Sequence, residues 1–217
     1  MARIRLVDPE RTPYHVKDIF SRVEKAVGVV PNQLRAVANS PDFIMPLSAM
    51  MAVVHRSPAI PARIKELAIL KVCKLNGSSY DITHNTAAGI AAGLSPDEIA
   101  ALDRDGGEER FSPIECAVLA LAEKITCSPH SVADADFVPL RERFSDAQIM
   151  ELVYTIGVYN FTNRLNLALG IELEENFRFG GLKPEPTAQS SAAPEPARSE
   201  PASPPRKPRL SVIRGNR

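Results

Sequence analysis

The chain has 217 residues, 44% hydrophobic and 24% charged, with 26 Lys and Arg balanced by 26 Asp and Glu. That composition suits a soluble globular protein of one ordinary domain plus extra material, and zero net charge leaves no global field to draw it to nucleic acid or an anionic membrane. The absence of Trp and an aromatic content of 6% argue against base-stacking platforms, and no apolar run reaches bilayer length.

The N-terminus "MARIRLVDPERTPY" lacks a signal peptide's apolar core, and Cys73, Cys116 and Cys127 are too few and too odd in number for a disulfide framework. A reducing, cytoplasmic setting is therefore expected. In "DIFSRVEKAV" (18–27) Ile19, Val23 and Val27 lie four apart, the spacing of one helix face. "PNQLRAVANS" (31–40) and "FIMPLSAMMAVVH" (43–55) predict two more helices, the second with Pro46 in its first turn. "IPARIKELAILKVCKLN" (60–76) follows, with Pro61 suited to the first turn and Asn76-Gly77 as the stop. A further helix is predicted over 79–92. Ser95-Pro96-Asp97-Glu98, Ser112-Pro113-Ile114-Glu115 and Ser145-Asp146-Ala147-Gln148 carry the capping-box pattern, and Gly170 ends the last helix. Convincing alternating strands are missing, so the fold class is all-α.

The expected organisation is an N-terminal helical extension over 1–29, a helical domain over 30–180, and a tail over 181–217. The tail is rich in Pro, Ala and Ser, and from Pro184 onward it holds six Lys or Arg against three Glu. It has nothing to bury before Leu210, Val212 and Ile213, which predicts disorder; "RKPRLSVIR" is the segment suited to dock a partner protein.

Chemistry concentrates in "KELAILKVCKLNGSSYDITHNTAAG" (65–89). Tyr80 and His84 are four apart, as are Asp81 and Asn85, so each pair shares a helix face and the two faces adjoin. Ser78 and Ser79 stand where that helix begins, offering hydroxyls and backbone amides to an anion. Glu66 sits among aliphatic neighbours on the preceding helix, where a carboxylate either faces solvent or is held for a reason. A lone histidine on such a helix is more often structural, and Asp81 alone reads as a first-turn acid placed for the helix dipole. Asn160, Asn163 and Asn166 form a polar stripe at three-residue spacing, read equally as satisfied packing or as substrate contact. The four histidines are scattered, with no metal-ligand spacing, so neither metal nor cofactor is expected.

"PARIKELAILKVCKLNGSSYDITHNTAAGIAAGLSPDEIAAL" resembles the signature region of the carboxymuconolactone decarboxylase family, which includes alkylhydroperoxidase D-like proteins. "CAVLALAEKIT" and the helix after Ser145 resemble its second helical segment, so the likeness spans roughly residues 30 to 173. The resemblance implies an alkylhydroperoxidase D-like helical fold, assembled as a homotrimer or homohexamer with its site near a subunit interface. It places Glu66 at the family's glutamate. Tyr80 and His84 match the Tyr-acid-x-x-His form of decarboxylase-type members. The peroxidase branch carries Cys-x-x-Cys where this chain has Ser78-Ser79-Tyr80-Asp81, and its histidine falls at Asn85.

A disulfide-cycling peroxidase needs a thiolate and a resolving thiol, which Ser78 and Asp81 cannot supply. The resemblance thus implies a cofactor-free lyase or isomerase acting on a small carboxylic acid or lactone. His84 would be the acid or base, Glu66 its orienting partner or a second base, and Tyr80, Ser78, Ser79, Asp81 and Asn85 the binding groups. The alternatives are a peroxiredoxin-type antioxidant enzyme built on Cys73, and a non-catalytic helical oligomer that binds a ligand.

Overall fold

A computed structural model describes residues 2–103, 107–175 and 177. The chain divides into two units, Met1–Pro184 and Glu185–Arg217, and every described residue belongs to the first. The expected Pro-rich tail lies outside the described residues. Those residues form α1 (Tyr14–Val27), α2 (Asn32–Val37), α3 (Pro41–Arg56), α4 (Ala62–Asn76), α5 (Ser79–Ala91), α6 (Pro96–Ala101), α7 (Pro113–Cys127), α8 (Asp134–Arg141) and α9 (Asp146–Leu169), with no strand. The all-α reading holds.

Helix starts follow their local chemistry. At α6 the Glu98 N–H donates to Ser95 Oγ at 3.2 Å and the Ser95 N–H to Glu98 Oε2 at 2.8 Å. At α9 the same exchange joins Ser145 and Gln148, at 3.4 and 2.9 Å. The Ser112 N–H donates to Glu115 Oε2 at 2.9 Å before α7. Each box satisfies amides that the first helical turn leaves without carbonyl partners.

Four points differ from the sequence expectations. The helix expected over 31–40 is only six residues long, because Ser40-Pro41 opens α3 directly after it. Pro46 consequently lies inside α3 and not in its first turn, a place taken by Pro41. Pro61 is the N-cap of α4, one residue ahead of the first turn, and α8, for which the periodicity gave no signal, fills 134–141.

The central element is α4, whose residues Ile64 to Leu70, with Val72 and Cys73, are all buried. A helix buried on every side has no solvent face to pattern, which explains the aliphatic run Leu67-Ala68-Ile69-Leu70 at its middle. It packs on α5, α7 and α9. Ile69, Val72, Leu121, Leu140, Leu152 and Ile156 form the main core around it, while Val16, Phe20, Leu34, Ile44 and Leu47 form a second core shared by α1, α2 and α3.

Arg63, on the first turn of α4, clamps the other side. Its guanidinium reaches Glu98 Oε1 at 2.6 Å, Glu115 Oε1 at 2.7 Å and the Gly93 carbonyl at 2.5 Å. Bonding from Arg63 holds the Glu98 carboxyl down at about 2. At the other end of the fold, the Arg3 guanidinium donates to the Leu167 and Ala168 carbonyls, both at 2.8 Å, and caps α9.

Candidate active site

The break between α4 and α5 sets the site. Gly77 adopts φ +68°, a left-handed conformation that costs a side-chain-bearing residue and costs glycine nothing. It lets the Gly77 and Ser78 N–H groups close back on the Lys74 and Cys73 carbonyls at 2.9 and 3.0 Å, then releases the chain into α5. This closure spends Ser78, which the sequence placed among the anion-binding groups. Its N–H serves Cys73, its hydroxyl donates to Asp81 Oδ2, and the residue is 1% exposed. Ser79 is exposed, and its carbonyl accepts from Thr83 Oγ1 at 2.9 Å.

One face of α5 turns to α9. Asp81 accepts from both Ser78 and Asn166, with Asn166 Nδ2 at 3.1 and 3.0 Å from the two carboxylate oxygens. Burial raises the Asp81 carboxyl above its ordinary value, against the pull of those hydrogen bonds. Asn85 donates to the Asp81 carbonyl at 2.7 Å and accepts from Tyr159 Oη at 2.8 Å. Both side chains are spent on protein partners and pin α5 to α9. The asparagine stripe behaves likewise: Asn160 donates to Thr126 Oγ1 at 3.0 Å and Asn163 to Cys73 Sγ at 3.7 Å. Asn160 and Asn163 are thus bound to protein partners, whereas Asn166 donates to Asp81 and its buried Oδ1 has no hydrogen-bond partner.

The other face carries Tyr80 and His84, whose rings lie 4.4 Å apart between centroids. Here the chain after α9 comes back over α5. Past Gly170 the described residues, 171–175 and 177, are non-helical, with Ile171 and Phe177 buried and Glu172, Leu173 and Glu175 exposed. The Glu174 carboxylate meets His84 Nε2 at 2.9 Å (Oε2), and through Oε1 it accepts from Tyr80 Oη at 3.0 Å and the Asn32 N–H at 2.5 Å. Phe177 covers the imidazole at 3.9 Å between centroids. Burial alone would push the Glu174 carboxyl up; His84 and the Asn32 amide together outweigh it and hold the group below its ordinary value. Burial, then the Glu174 charge, drives the Tyr80 hydroxyl well above its ordinary value, so it acts as a donor.

The carboxylate paired with His84 is thus Glu174, where the sequence had proposed Glu66. The His84 Nε2 contact runs to Glu174 Oε2. Glu66 is instead buried on α4 with no hydrogen-bond partner for Oε2. Burial pushes its carboxyl up to about 7, and the neighbouring Lys65 charge opposes the shift only in part. Its field is felt at Tyr159, whose hydroxyl also lies 3.5 Å from His55 Nε2. His55 keeps an exposed edge, yet its pKa is lowered by the packed surroundings of its ring and by the Lys65 charge.

Cys73 is fully buried, and burial first of all raises its thiol well above the ordinary value. Such a sulfur is not a poised nucleophile. Among the described residues no three His, Cys, Asp or Glu side chains converge to hold a metal ion, and no helix is long and apolar enough to cross a membrane. Sequence reasoning missed Glu174, Phe177 and Asn32. The acids of "IELEENF" just past the Gly170 helix stop were the available signal, 90 residues from His84.

Residues 41–124 match the model of the carboxymuconolactone decarboxylase family. Over 116 residues the chain is 29% identical to the uncharacterized protein YdfG of Bacillus subtilis (strain 168), covering 53% of this chain and 79% of that one. In three dimensions it is similar to an uncharacterized peroxidase-related protein with an alkylhydroperoxidase core from Ralstonia eutropha, with a TM-score of 0.72 at 19% identity over 81% of this chain and 94% of that one. A peroxidase-related protein from Silicibacter sp. gives a TM-score of 0.70 at 22% identity, covering 81% and 93%. A debrominase in complex with 2,3,4-tribromopyrrole gives 0.69 at 18% identity, covering 81% and 95%. At these identities the structural likeness establishes the alkylhydroperoxidase-like fold.

Proposed function

We propose that the chain, whose residues 41–124 match the model of the carboxymuconolactone decarboxylase family, is a cofactor-free lyase or isomerase acting on a small carboxylic acid or lactone through His84. The observation that carries this reading is the convergence of His84 Nε2, Tyr80 Oη–H and the Asn32 N–H on one carboxylate. Two neutral donors fix an anion there, and an imidazole, a side chain that can serve as general acid or base, touches the same carboxylate.

In a decarboxylation the bond to the carboxylate carbon breaks, CO₂ leaves, and its electron pair enters a conjugated carbonyl of the substrate. The resulting carbanion carbon takes a proton from imidazolium His84, which is then reprotonated from water. In an isomerisation His84 removes a proton from one carbon and returns it to another. Glu66 is a secondary acid–base group in this scheme, because it does not touch His84. Subunit association as a trimer or a dimer of trimers belongs to the same proposal. Exposed Phe43 and Phe161, which line a groove of about 360 Å³ with Met50 and Leu165, support it.

The test is a screen of lactones and unsaturated acids in D₂O, read by NMR for deuterium at the new C–H bond. His84→Asn is expected to lower turnover by about 10²- to 10⁴-fold with helicity unchanged. Glu66→Gln should cost less, and Cys73→Ser little. A dead Cys73→Ser beside a normal His84→Asn refutes the lyase reading in favour of thiol chemistry.

A further inference from the structure

We propose that Glu174, on the chain just past α9, is an internal ligand: its carboxylate fills a carboxylate-binding subsite built by Asn32, Tyr80 and His84, and it must leave before an external carboxylate can enter. The identity of that subsite rests on the function proposed above; its occupancy by the chain's own glutamate does not.

The donors come from separate parts of the fold. The Asn32 N–H belongs to α2, while Tyr80 and His84 share one face of α5. Their geometry is therefore set by α2 and α5, and not by the segment that uses it. The carboxylate they receive stands on irregular chain beyond the end of α9. That segment is held by a few discrete contacts. Ile171 packs beside Ala36 and Tyr80, the Phe177 ring lies tilted against His84, and Asn32 Nδ2 donates to the Glu172 carbonyl at 3.0 Å. A short turn, Phe177 N–H to the Glu174 carbonyl at 3.0 Å, aims both Glu174 and Phe177 at the imidazole.

The segment also seals the site. With it in place the His84 and Glu174 side chains are only 16% and 6% exposed, and Nε2 faces Glu174. No external acid reaches Nε2 while Glu174 sits there. A tethered carboxylate competes at a high effective concentration, so only a ligand that makes contacts beyond its own carboxylate displaces it. An anion held in this way selects against small indifferent acids and exposes His84 when the right one binds.

Binding of acetate, with acetamide as the neutral control, tests this on the full chain by titration calorimetry and needs no turnover. Glu174→Ala is expected to bind acetate at least about tenfold more tightly than the wild type, the gain predicted when an internal competitor is removed. Acetamide should show no such gain, and adding Tyr80→Phe to Glu174→Ala should abolish it. Phe177→Ala, which loosens the segment and leaves the carboxylate in place, should give a smaller gain in the same direction and serves if Glu174→Ala does not fold. Failure of every folded variant to bind acetate better than the wild type overturns the proposal. If acetate binding rises as expected while no lactone or acid is turned over, the internal ligand stands and the lyase reading falls.

Discussion

Burial pushes the Glu66 carboxyl up to about 7, and this makes its contribution to stability depend on pH. Below the ordinary carboxyl range, folded and unfolded chains both keep the proton and the residue contributes nothing. As pH rises, the unfolded chain ionises Glu66 first while the folded chain still holds it neutral, so the folded state loses ground up to about pH 7 and stays penalised above it. The penalty is on the order of 3 kcal/mol. Glu66→Gln keeps the shape and cannot ionise. Its melting temperature relative to the wild type should therefore climb between pH 5 and pH 8. Equal shifts at both ends would show that Glu66 ionises freely in the folded protein.

Among the elements, the first turn of α4 depends on one side chain. Arg63 ties α4 to α6 and α7 through Glu98 and Glu115, and Glu115 is 7% exposed. Arg63→Ala would leave that buried carboxylate with only its Ser112 bonds. A charge-assisted hydrogen bond is worth about 1.5–3 kcal/mol, so urea unfolding should show a loss of roughly that size. Arg63→Lys should recover only part, since an ammonium cannot reproduce the guanidinium's two-sided reach to Glu98 and Glu115. A loss below about 0.5 kcal/mol for Arg63→Ala would mark the clamp as a surface pair of little worth.

At the scale of the whole molecule, the proposed assembly would draw on exposed apolar side chains of α3 and α9. Phe43, Val53 and Met45 on α3 are 67%, 54% and 50% exposed, and Met150 and Phe161 on α9 are 61% and 51% exposed. Of these, Phe43 and Phe161 line one groove, and exposed apolar surface of that kind fits the subunit contact of the proposed assembly. Light scattering is expected to give the mass of a trimer or hexamer at micromolar concentration, and Phe161→Glu to shift it towards the monomer by placing a charge in the groove. A wild-type monomer across that range would remove the assembly from the proposal.

By itself the sequence determined what depends on neighbours a few residues apart. The helix starts at Ser95, Ser112 and Ser145, the stops at Gly77 and Gly170, and the all-α class follow from capping chemistry and periodicity, which act within one or two turns. The shared face of Tyr80 and His84 was readable for the same reason. The expected tail over 181–217 rests on composition and lies outside the described residues. Only the tertiary structure decided which carboxylate His84 meets. Glu66 is closer in sequence, yet it is buried on α4 and its Oε2 has no hydrogen-bond partner. Glu174 is 90 residues away and arrives because Gly170 turns the chain back across α5. The same holds for Asp81, Asn85 and the asparagine stripe. Whether a polar side chain on α5 or α9 faces a ligand or another helix is set by how α4, α5 and α9 pack, and no periodicity within one helix carries that information.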